Sequence, residues 1–582
     1  MRVLFVAIDS QFIHSNLALR YLLKLSETSP CESELLETTV NENVDQVLAA
    51  LVSKAPDLVV FSCYIWNITV VKQLIGALKL VLPKVIIGCG GPEVAYDARS
   101  FLDQSPVDFI MAGEGEAVFP GVLAALCGAS AKGQGAPVAA ADHLADLPGL
   151  YLKTDAGVID TGPVALINMA DVPFPYDAAQ LIALDHRIVY YEGQRGCPYG
   201  CTYCLSSIDR SLRHKPVDMV RRELKVFMEA GVPLVKFVDR TFNIREEWAY
   251  AVLSFLVDET ILHNYSTSFH FEVGAATLSD RLIELFTNCP AGLFQIEAGI
   301  QSTNPAVLQL IERVDDPRRL QSALARIIGA GRVHVHTDLI AGLPGDTLAS
   351  FRKSFNDCIA MKPHMLQVGF LKVLKGTPLA LTKERHGIVH RSWPPYEVLQ
   401  TDRMSYLDLQ QIKQIEKVTD KYLNSGKFSN SMKYLLMIYE EPWKIFINVV
   451  ELISKYQRGQ QPPKYEEYYS ALLDLGDQLH PADRDILSNL LVFDYILSNR
   501  KGSLPVRLQT GFYNSRRVRL LCNESESLVL KGNVSGFRID VLWFQHNAQI
   551  VPKETYVFYS LETAELIPVK KISDVEFVSI EK

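Results

Sequence analysis

Near the start of the chain, apolar runs at 3–8, 57–62, 85–89 and 107–111 are rich in Val and Ile, and stretches of helical periodicity such as Val44, Val47, Leu48 and Leu51 separate them. Continuous rather than alternating apolar runs suit strands covered on both faces, so the pattern predicts a doubly wound parallel sheet over residues 1–126. Ligands of such sheets bind at the carboxyl ends of the strands. Here those ends read Asp9-Ser10, Phe61-Ser62-Cys63-Tyr64, Gly88-Cys89-Gly90-Gly91-Pro92-Glu93 and Ala112-Gly113-Glu114-Gly115-Glu116. Glycines there let a flat ligand approach the backbone closely.

Residues 127–184 read as a connector. A small-residue stretch from Cys127 onward is followed by a hairpin at 150–153 and 158–160, and the Pro-Phe-Pro-Tyr segment at 173–176 marks the approach to the next domain. Apolar runs then alternate with helices again over 185–385, with strands predicted at 188–192, 234–238, 269–273, 293–297, 333–340 and 365–371. A stripe of Val217, Val220, Leu224 and Phe227 ends at Gly231, as a helix with a glycine stop should. Six strand–helix units predict an open, partial (β/α)6 barrel with its site at the carboxyl ends of the strands. The last part, 386–582, leans helical to about 500, with aromatics such as Trp393, Tyr396, Tyr406, Tyr434, Tyr439 and Trp443 that normally mark core, and becomes strand-like from about 504, including 536–544.

Composition narrows the class. With 582 residues, 48% hydrophobic and 21% charged, the chain is expected to be a soluble multidomain protein, and no apolar run approaches the roughly 20 residues of a spanning helix. Its first residues read as a strand rather than an export signal, because Asp9 ends the apolar run early. Ten cysteines without framework spacing fit a reducing cytoplasm. A net charge of −8 gives no global attraction to nucleic acid; Arg516, Arg517 and Arg519 are the obvious local basic candidate, of a kind that is usually solvated surface.

The sharpest chemical signal follows the first strand of the second alternation, in Gly196-Cys-Pro-Tyr-Gly-Cys-Thr-Tyr-Cys-Leu205. Cys197, Cys201 and Cys204 have a C-x3-C-x2-C spacing. Three thiolates can hold three corners of a four-iron cubane and leave one iron open to a substrate or cofactor. Structural zinc is the rival, but it wants four ligands in two close pairs, and no partner C-x2-C pair occurs elsewhere. A disulfide reading strands one cysteine.

This loop, with Tyr203 before its last cysteine, resembles that of the radical S-adenosylmethionine superfamily. The resemblance implies that Cys197, Cys201 and Cys204 ligate a 4Fe-4S cluster whose free iron chelates S-adenosylmethionine, which an electron then cleaves to a 5'-deoxyadenosyl radical. Two further elements are similar to that family: Glu297-Ala-Gly-Ile-Gln301-Ser, whose carboxylate lies near the cofactor ribose, and Gly342-Leu-Pro-Gly345, which packs by the adenine. Leu374-Lys-Gly-Thr-Pro-Leu379 resembles the closing element after the sixth strand. Tyr203, Asp239, Glu297, Gln301 and Gly342 are thus the expected contacts of that cofactor, with Glu272 a weaker candidate.

The first domain resembles the cobalamin-binding domain that precedes many such cores, on its Gly-Gly-Pro-Glu and Gly-Glu-Gly-Glu elements. Ser62, Gly90, Gly91, Glu93, Gly113, Glu114 and His14 are the expected cobalamin contacts. One departure is plain: the family's axial histidine sits in Asp-x-His-x-x-Gly, whereas this chain has Asp9-Ser-Gln-Phe-Ile-His14-Ser-Asn. His14 therefore inherits no ligand role from the motif, and a cap or pocket wall is its ordinary reading. Together the resemblances imply a cobalamin-dependent enzyme that methylates an unactivated carbon of an unknown substrate, served by an electron donor such as flavodoxin or ferredoxin. The alternatives are a cobalamin-assisted rearrangement or oxidation without methyl transfer, an RNA-modifying enzyme of the same superfamily, and a cluster-carrying scaffold.

Overall fold

The structure, a computed structural model, describes residues 1–131, 141–313, 315–459, 461–499, 504–509, 514–521, 529–560, 566–569 and 575–577. Part of the small-residue stretch after Cys127 therefore lies outside the described residues, as does Cys522, and the side chains of Arg516, Arg517 and Arg519 are not described.

The N-terminal sheet has seven strands in the order Glu32–Thr39, Arg2–Asp9, Leu58–Ser62, Ile86–Gly90, Phe109–Met111, Leu150–Thr154, Gly157–Asp160. The first five run parallel. Arg2–Asp9 shows why its apolar run is continuous: Leu4, Val6 and Ile8 enter one core and Val3, Phe5 and Ala7 the other, on opposite faces of the sheet. At roughly 1.5–3 kcal/mol for each fully buried large aliphatic or aromatic side chain, this one strand anchors both layers. Asn16 caps helix Leu17–Ser26 by accepting from Leu19 N at 2.9 Å, and Asn43 caps Val44–Ser53 through Asp45 N at 2.8 Å.

In this sheet, two findings depart from the sequence reading. Strand Glu32–Thr39 was not expected, because its glutamates interrupt the apolar pattern; it is the sheet's edge, where charged residues face solvent and discourage further pairing. The hairpin read as connector instead adds two antiparallel strands to the opposite edge of the same sheet.

The second sheet has six strands in the order Met365–Phe370, His334–Ala341, Phe294–Gln301, Ser268–Glu272, Leu234–Phe237, Val189–Tyr191. Parallel pairing runs from Val189–Tyr191 through to His334–Ala341. In Phe294–Gln301 the alternate residues Phe294, Ile296, Ala298 and Ile300 are buried, which leaves Gln295, Glu297, Gly299 and Gln301 on the other face. His334–Ala341 repeats this pattern, with His334, His336 and Asp338 opposite Val335, Thr337 and Leu339. The sheet therefore has one apolar face for its helices and one polar face.

By compactness the chain falls into two units. One comprises 1–351, 361–363 and 369–406 and holds the seven-stranded sheet; the other comprises 352–360, 364–368 and 407–582. The second unit is helical from Tyr406–Thr419 to Pro481–Ser498 and ends in a five-stranded sheet whose pairings are antiparallel. Its buried Asp494 accepts from Asn430 N, Asn430 Nδ2, Ser431 N and Ser431 Oγ at 2.7–3.1 Å, holding the first turn of helix Ser429–Ile438. The segment 536–544, expected as strand, divides: strand ends at Phe537, and Asp540 caps helix Val541–Asn547 by accepting from Trp543 N at 3.0 Å. Among the described residues no helix is long and apolar enough to cross a membrane.

Candidate cofactor cavity and cysteine loop

The cysteine loop springs from a two-residue ribbon in which Gln194 and Arg195 pair with His214 and Arg213. Gly196 then turns at φ +90, and a Cβ there would stand 1.7 Å from the Ser211 carbonyl oxygen, so the turn admits only glycine. Cys197 N donates to Asp209 O at 3.1 Å, Cys204 N to Cys201 O at 3.1 Å and Thr202 N to Ile311 O at 3.1 Å. Cys197 and Cys201 are buried and Cys204 is half-buried. Among the described residues no three Cys, His, Asp or Glu side chains converge on a single ion; a polynuclear core, held at the corners of a cube, makes no such demand.

Sequence reasoning passed over Arg313, which follows a short helix and bears no motif. Its guanidinium donates to Gly299 O, pairs with Asp315, and lies beside Cys201 and Tyr203. Burial pushes the Cys201 thiol up, and Arg313 pulls it back toward the thiolate that a metal ligand must be. Burial likewise raises the Tyr203 phenol.

The polar face of the second sheet carries Lys236, His270, Glu272, Glu297, His336 and Asp338. Glu297 Oε2 lies 3.3 Å from His270 Nε2 and 3.2 Å from Lys236 Nζ, and His270 chiefly, against burial, lowers its pKa to about 2. Asp338 goes the other way, to about 8, through burial and then Glu297. Opposite shifts in neighbouring carboxyls leave one charged and one protonated at neutral pH. Gln301 ends its strand at φ +66 beside a register shift at Gly299, a strained turn of the kind found at functional sites. Gln301 Oε1 and Asp338 Oδ1 are buried without a partner. Asp239 is buried, with Oδ1 accepting from Gly193 N at 2.9 Å and Oδ2 unpartnered. Gly342 turns at φ +84 after strand His334–Ala341.

At the carboxyl ends of the first sheet lies a cavity of about 700 Å³ whose wall includes Ser62, Gly90, Gly91, Gly113, Glu114 and His14. Gly196 of the cysteine loop, with Arg195, Asp209 and Arg240, lines the same space. Ser62 Oγ accepts from Asn16 Nδ2 at 2.9 Å, and Asn67 Nδ2 donates to the carbonyls of Ser62 and Ile8, tying two strand ends together. Gly91 turns at φ +102 with its α-carbon so close to Cys63 that a Cβ would meet the Cys63 carbonyl oxygen at 2.6 Å. Tyr64 and Trp66, not singled out from sequence, stack at 4.4 Å in the wall. His14 shares a 2.7 Å hydrogen bond with Tyr190 through Nδ1; burial, then Lys236 and Arg187, lower its pKa. Asp9, beside Arg187, is raised to about 7 by burial and by Glu37.

Glu93 is not in this wall. Its carboxylate accepts from Tyr396 Oη at 2.8 Å, and the neighbouring Asp97 pairs with Lys375 at 3.2 Å. The structure thus joins Glu93 to the segment after the closing element and not to the space it was expected to face.

The two halves of this site match two domain families. Residues 3–123 match the B12 binding domain and residues 191–358 the radical SAM superfamily; residues 384–527 match a family described as protein of unknown function (DUF4080). A segment like a B12 binding domain followed by one like the radical SAM superfamily is what the cysteine spacing and the Gly-Gly turn implied. It is 28% identical over 349 residues, 56% of this chain and 48% of the relative, to the cobalamin-dependent radical SAM methyltransferase TokK of Streptomyces tokunonensis. To the 2-(S-pantetheinyl)-carbapenam-3-carboxylate methyltransferase of Streptantibioticus cattleyicolor it is 25% identical over 360 residues, 58% of this chain and 50% of the relative. The chain spans about half the length of these curated relatives. Its fold is similar to that of the cobalamin-dependent S-adenosylmethionine radical enzyme OxsB, solved with aqua-cobalamin and S-adenosylmethionine, at a TM-score of 0.59 and 15% identity over 86% of this chain and 79% of that one.

Proposed function

We propose that this chain is a cobalamin-dependent radical S-adenosylmethionine enzyme that methylates an unactivated carbon. The observation that carries the reading is the shared cavity, which sets the glycine turns of the first sheet and the base of the cysteine loop around one space. Cys197, Cys201 and Cys204 would hold the 4Fe-4S cluster. The unpartnered Gln301 Oε1 and Asp338 Oδ1, with the charged Glu297 between their strands, offer the acceptors that a ribose diol and an ammonium group need, so the residues present fit S-adenosylmethionine. Ser62, Gly90, Gly91 and Gly113 leave a backbone-lined, side-chain-poor wall that fits a broad flat cofactor such as cobalamin.

When bound, the cluster supplies the electron for reductive cleavage of S-adenosylmethionine, and cobalamin supplies a methyl carrier. The chain's own part is positional. Arg313 favours the thiolate form of Cys201, and Gly196 closes the loop. Flavodoxin or ferredoxin is the class of electron donor this chemistry requires. The DUF4080 region would contribute to substrate recognition.

The test is anaerobic reconstitution with iron, sulfide and cobalamin, followed by incubation with methyl-labelled S-adenosylmethionine, a strong reductant and cell-extract fractions. Label in a carbon-methylated product together with 5'-deoxyadenosine is expected. Deoxyadenosine without any labelled product would overturn methyl transfer, and absence of both would overturn the radical reading.

A further inference from the structure

We infer that Glu114 and Glu116, with Arg195 and Arg213, form a clamp that positions the cysteine loop against the strand-end turns of the first sheet; what this means for two cofactors rests on the function proposed above. Glu114 lies in the turn after strand Phe109–Met111 and Glu116 in the first turn of the helix Gly115–Ala131 that follows. The arginines bracket the cysteines, Arg195 just before Cys197 and Arg213 beyond Cys204, and they face each other in the antiparallel ribbon at the base of the loop.

Glu114 grips both. Its Oε1 lies 3.1 Å from Arg195 Nη1 and 2.7 Å from Arg213 Nη2, and its Oε2 accepts from Arg213 Nη1 at 3.1 Å and from Ile167 N at 2.7 Å. A carboxylate has about four acceptor positions; here three take hydrogen bonds and the Arg195 guanidinium stands against the remaining one as an ion pair. Glu114 lines the cavity yet has no capacity left for a ligand, which separates it from Gln301 and Asp338 with their unpartnered oxygens. Glu116 Oε1 takes Arg195 Nη2 at 2.7 Å, and Glu192 engages the same guanidinium through Nε at 2.9 Å and Nη2 at 2.7 Å. Arg213 is braced by Asp209 at 2.9 Å, whose backbone carbonyl in turn accepts from Cys197 N.

The side chains of Glu114, Glu116, Arg195 and Arg213 are between 8% and 19% exposed. In that setting loss of one partner leaves a charge that water does not compensate. Arginine rather than lysine is the chemistry for this task, since its planar fork fixes direction as well as distance. The cysteine loop is thereby fastened at both ends to the sheet whose turns form the opposite wall, and Glu114 and Glu116 are positioning residues rather than cofactor contacts.

The test uses the full chain, purified anaerobically, in two states. Before any cofactor is added, hydrogen exchange over 196–213 is compared in wild type, Glu114→Gln and the milder Arg213→Lys, which keeps the charge but not the fork. Exchange at least about tenfold faster in Glu114→Gln, and about threefold faster in Arg213→Lys, is expected, with strand Leu58–Ser62 unchanged. Unchanged loop exchange in both variants would overturn the clamp, and this result does not depend on the proposed function. After reconstitution, spin relaxation of bound cob(II)alamin by the reduced cluster reports their separation; in either variant it should weaken at least twofold at equal iron and cobalt content. Coupling equal to wild type, with only a lower unfolding temperature, would reduce the clamp to a structural brace and overturn the positioning role. Failure of wild type to take up cluster or cobalamin would count against the function while leaving the exchange result to decide the clamp.

Discussion

Asp338→Asn should stabilise the cofactor-free chain at neutral pH, the reverse of what removing a buried charge partner does. Burial, then the negative charges of Glu297 and Glu272, raise the Asp338 carboxyl from 3.8 to about 8, with Lys236 only partly opposing. Once unfolded, the group ionises near 3.8, so between roughly pH 4 and pH 8 the folded chain holds a proton that the unfolded chain has released. Stability therefore falls as pH rises through that window. Holding the proton at pH 7, about three pH units above the unfolded value, costs roughly 4 kcal/mol at about 1.4 kcal/mol per unit. Asparagine mimics the neutral acid without that cost, and after allowance for imperfect amide hydrogen bonding a gain of about 2 kcal/mol is expected. Three neighbours also titrate; Glu272, raised by burial, shifts stability in the same sense as Asp338 and cancels in the comparison at one pH. Glu297, lowered to about 2, gives stability that is lost only as pH falls from about 4.5 toward 2, below both assay pH values. His336, lowered to about 4 by burial and then by His334 and His270, is kept neutral in the fold and acts in the opposite sense below 6.5; comparing variant with wild type at one pH cancels it. Because the chain has two compact units, a single melt would mix their transitions, so the assay is hydrogen exchange over strand His334–Ala341 at pH 5 and 7.5. The variant should gain about 30-fold in protection at pH 7.5 and much less at pH 5. Equal protection at pH 7.5, or the same gap at both pH values, would refute the reasoning.

Gly196→Ala forces a Cβ to within 1.7 Å of the Ser211 carbonyl at φ +90, and iron retained after reconstitution should fall at least about tenfold while far-ultraviolet dichroism is kept; full iron loading would contradict the loop geometry. Glu297→Gln removes the charge held by His270 and Lys236 and should weaken S-adenosylmethionine binding to the reconstituted chain by about tenfold in calorimetry, the loss of one charge-assisted hydrogen bond; unaltered affinity would remove Glu297 from that site. Trp66 is the tryptophan of the cavity wall, so cobalamin should quench part of the chain's tryptophan emission, and Trp66→Phe should remove that part without abolishing binding; quenching as in wild type would place the cofactor elsewhere.

Where the apolar pattern was unbroken, the fold was legible. The runs at 3–8 and 57–62 read as strands because both faces of each enter a core, and strand Phe294–Gln301 announces its polar face by strict alternation. The misses have physical reasons. Edge strand Glu32–Thr39 buries little and owes its place to pairing with Arg2–Asp9 rather than to apolar content. The hairpin's residues could not reveal that Tyr151 and Leu152 would pair with Ile110 and Phe109. In 536–544 the apolar run hid an Asp540 cap, a local hydrogen bond that outweighs strand propensity. For the site, spacing pointed to the cysteines, and strand position to Glu297 and Gln301. Arg313 carries no spacing signal, since only the fold brings it back to Cys201. Tyr64 and Trp66 flank one residue in the loop after Leu58–Ser62, and nothing in that spacing says that they stack.

The strand-end acids show why position alone is a poor guide to role. Glu93 and Glu114 follow glycine turns at the same end of the same sheet, and both read as cofactor contacts. Glu93 is instead buried against Tyr396, and Glu114 is filled by two guanidinium groups and a backbone N–H. At a third point, Arg187 joins Glu37 at 2.8 Å and Asp9 at 3.3 Å. Beside local partners such as Ile167 for Glu114 and Arg20 for Glu37, each of these acids within 3–123 meets a donor at 187 or beyond, so the cross-seam contacts named here share one polarity. A seam of that kind resists sliding, because a shift of a few ångströms sets carboxylate against carboxylate in a poorly screened interior. Backbone-lined glycine turns can then face a ligand without also holding the two sheets together. Capacity for further hydrogen bonds, counted atom by atom, therefore separates framework from ligand-facing groups here: Glu114, crowded by two guanidinium groups and a backbone N–H, fixes the gap, while Gln301 Oε1, Asp338 Oδ1 and Asp239 Oδ2, buried and unengaged, mark where a bound molecule would be held.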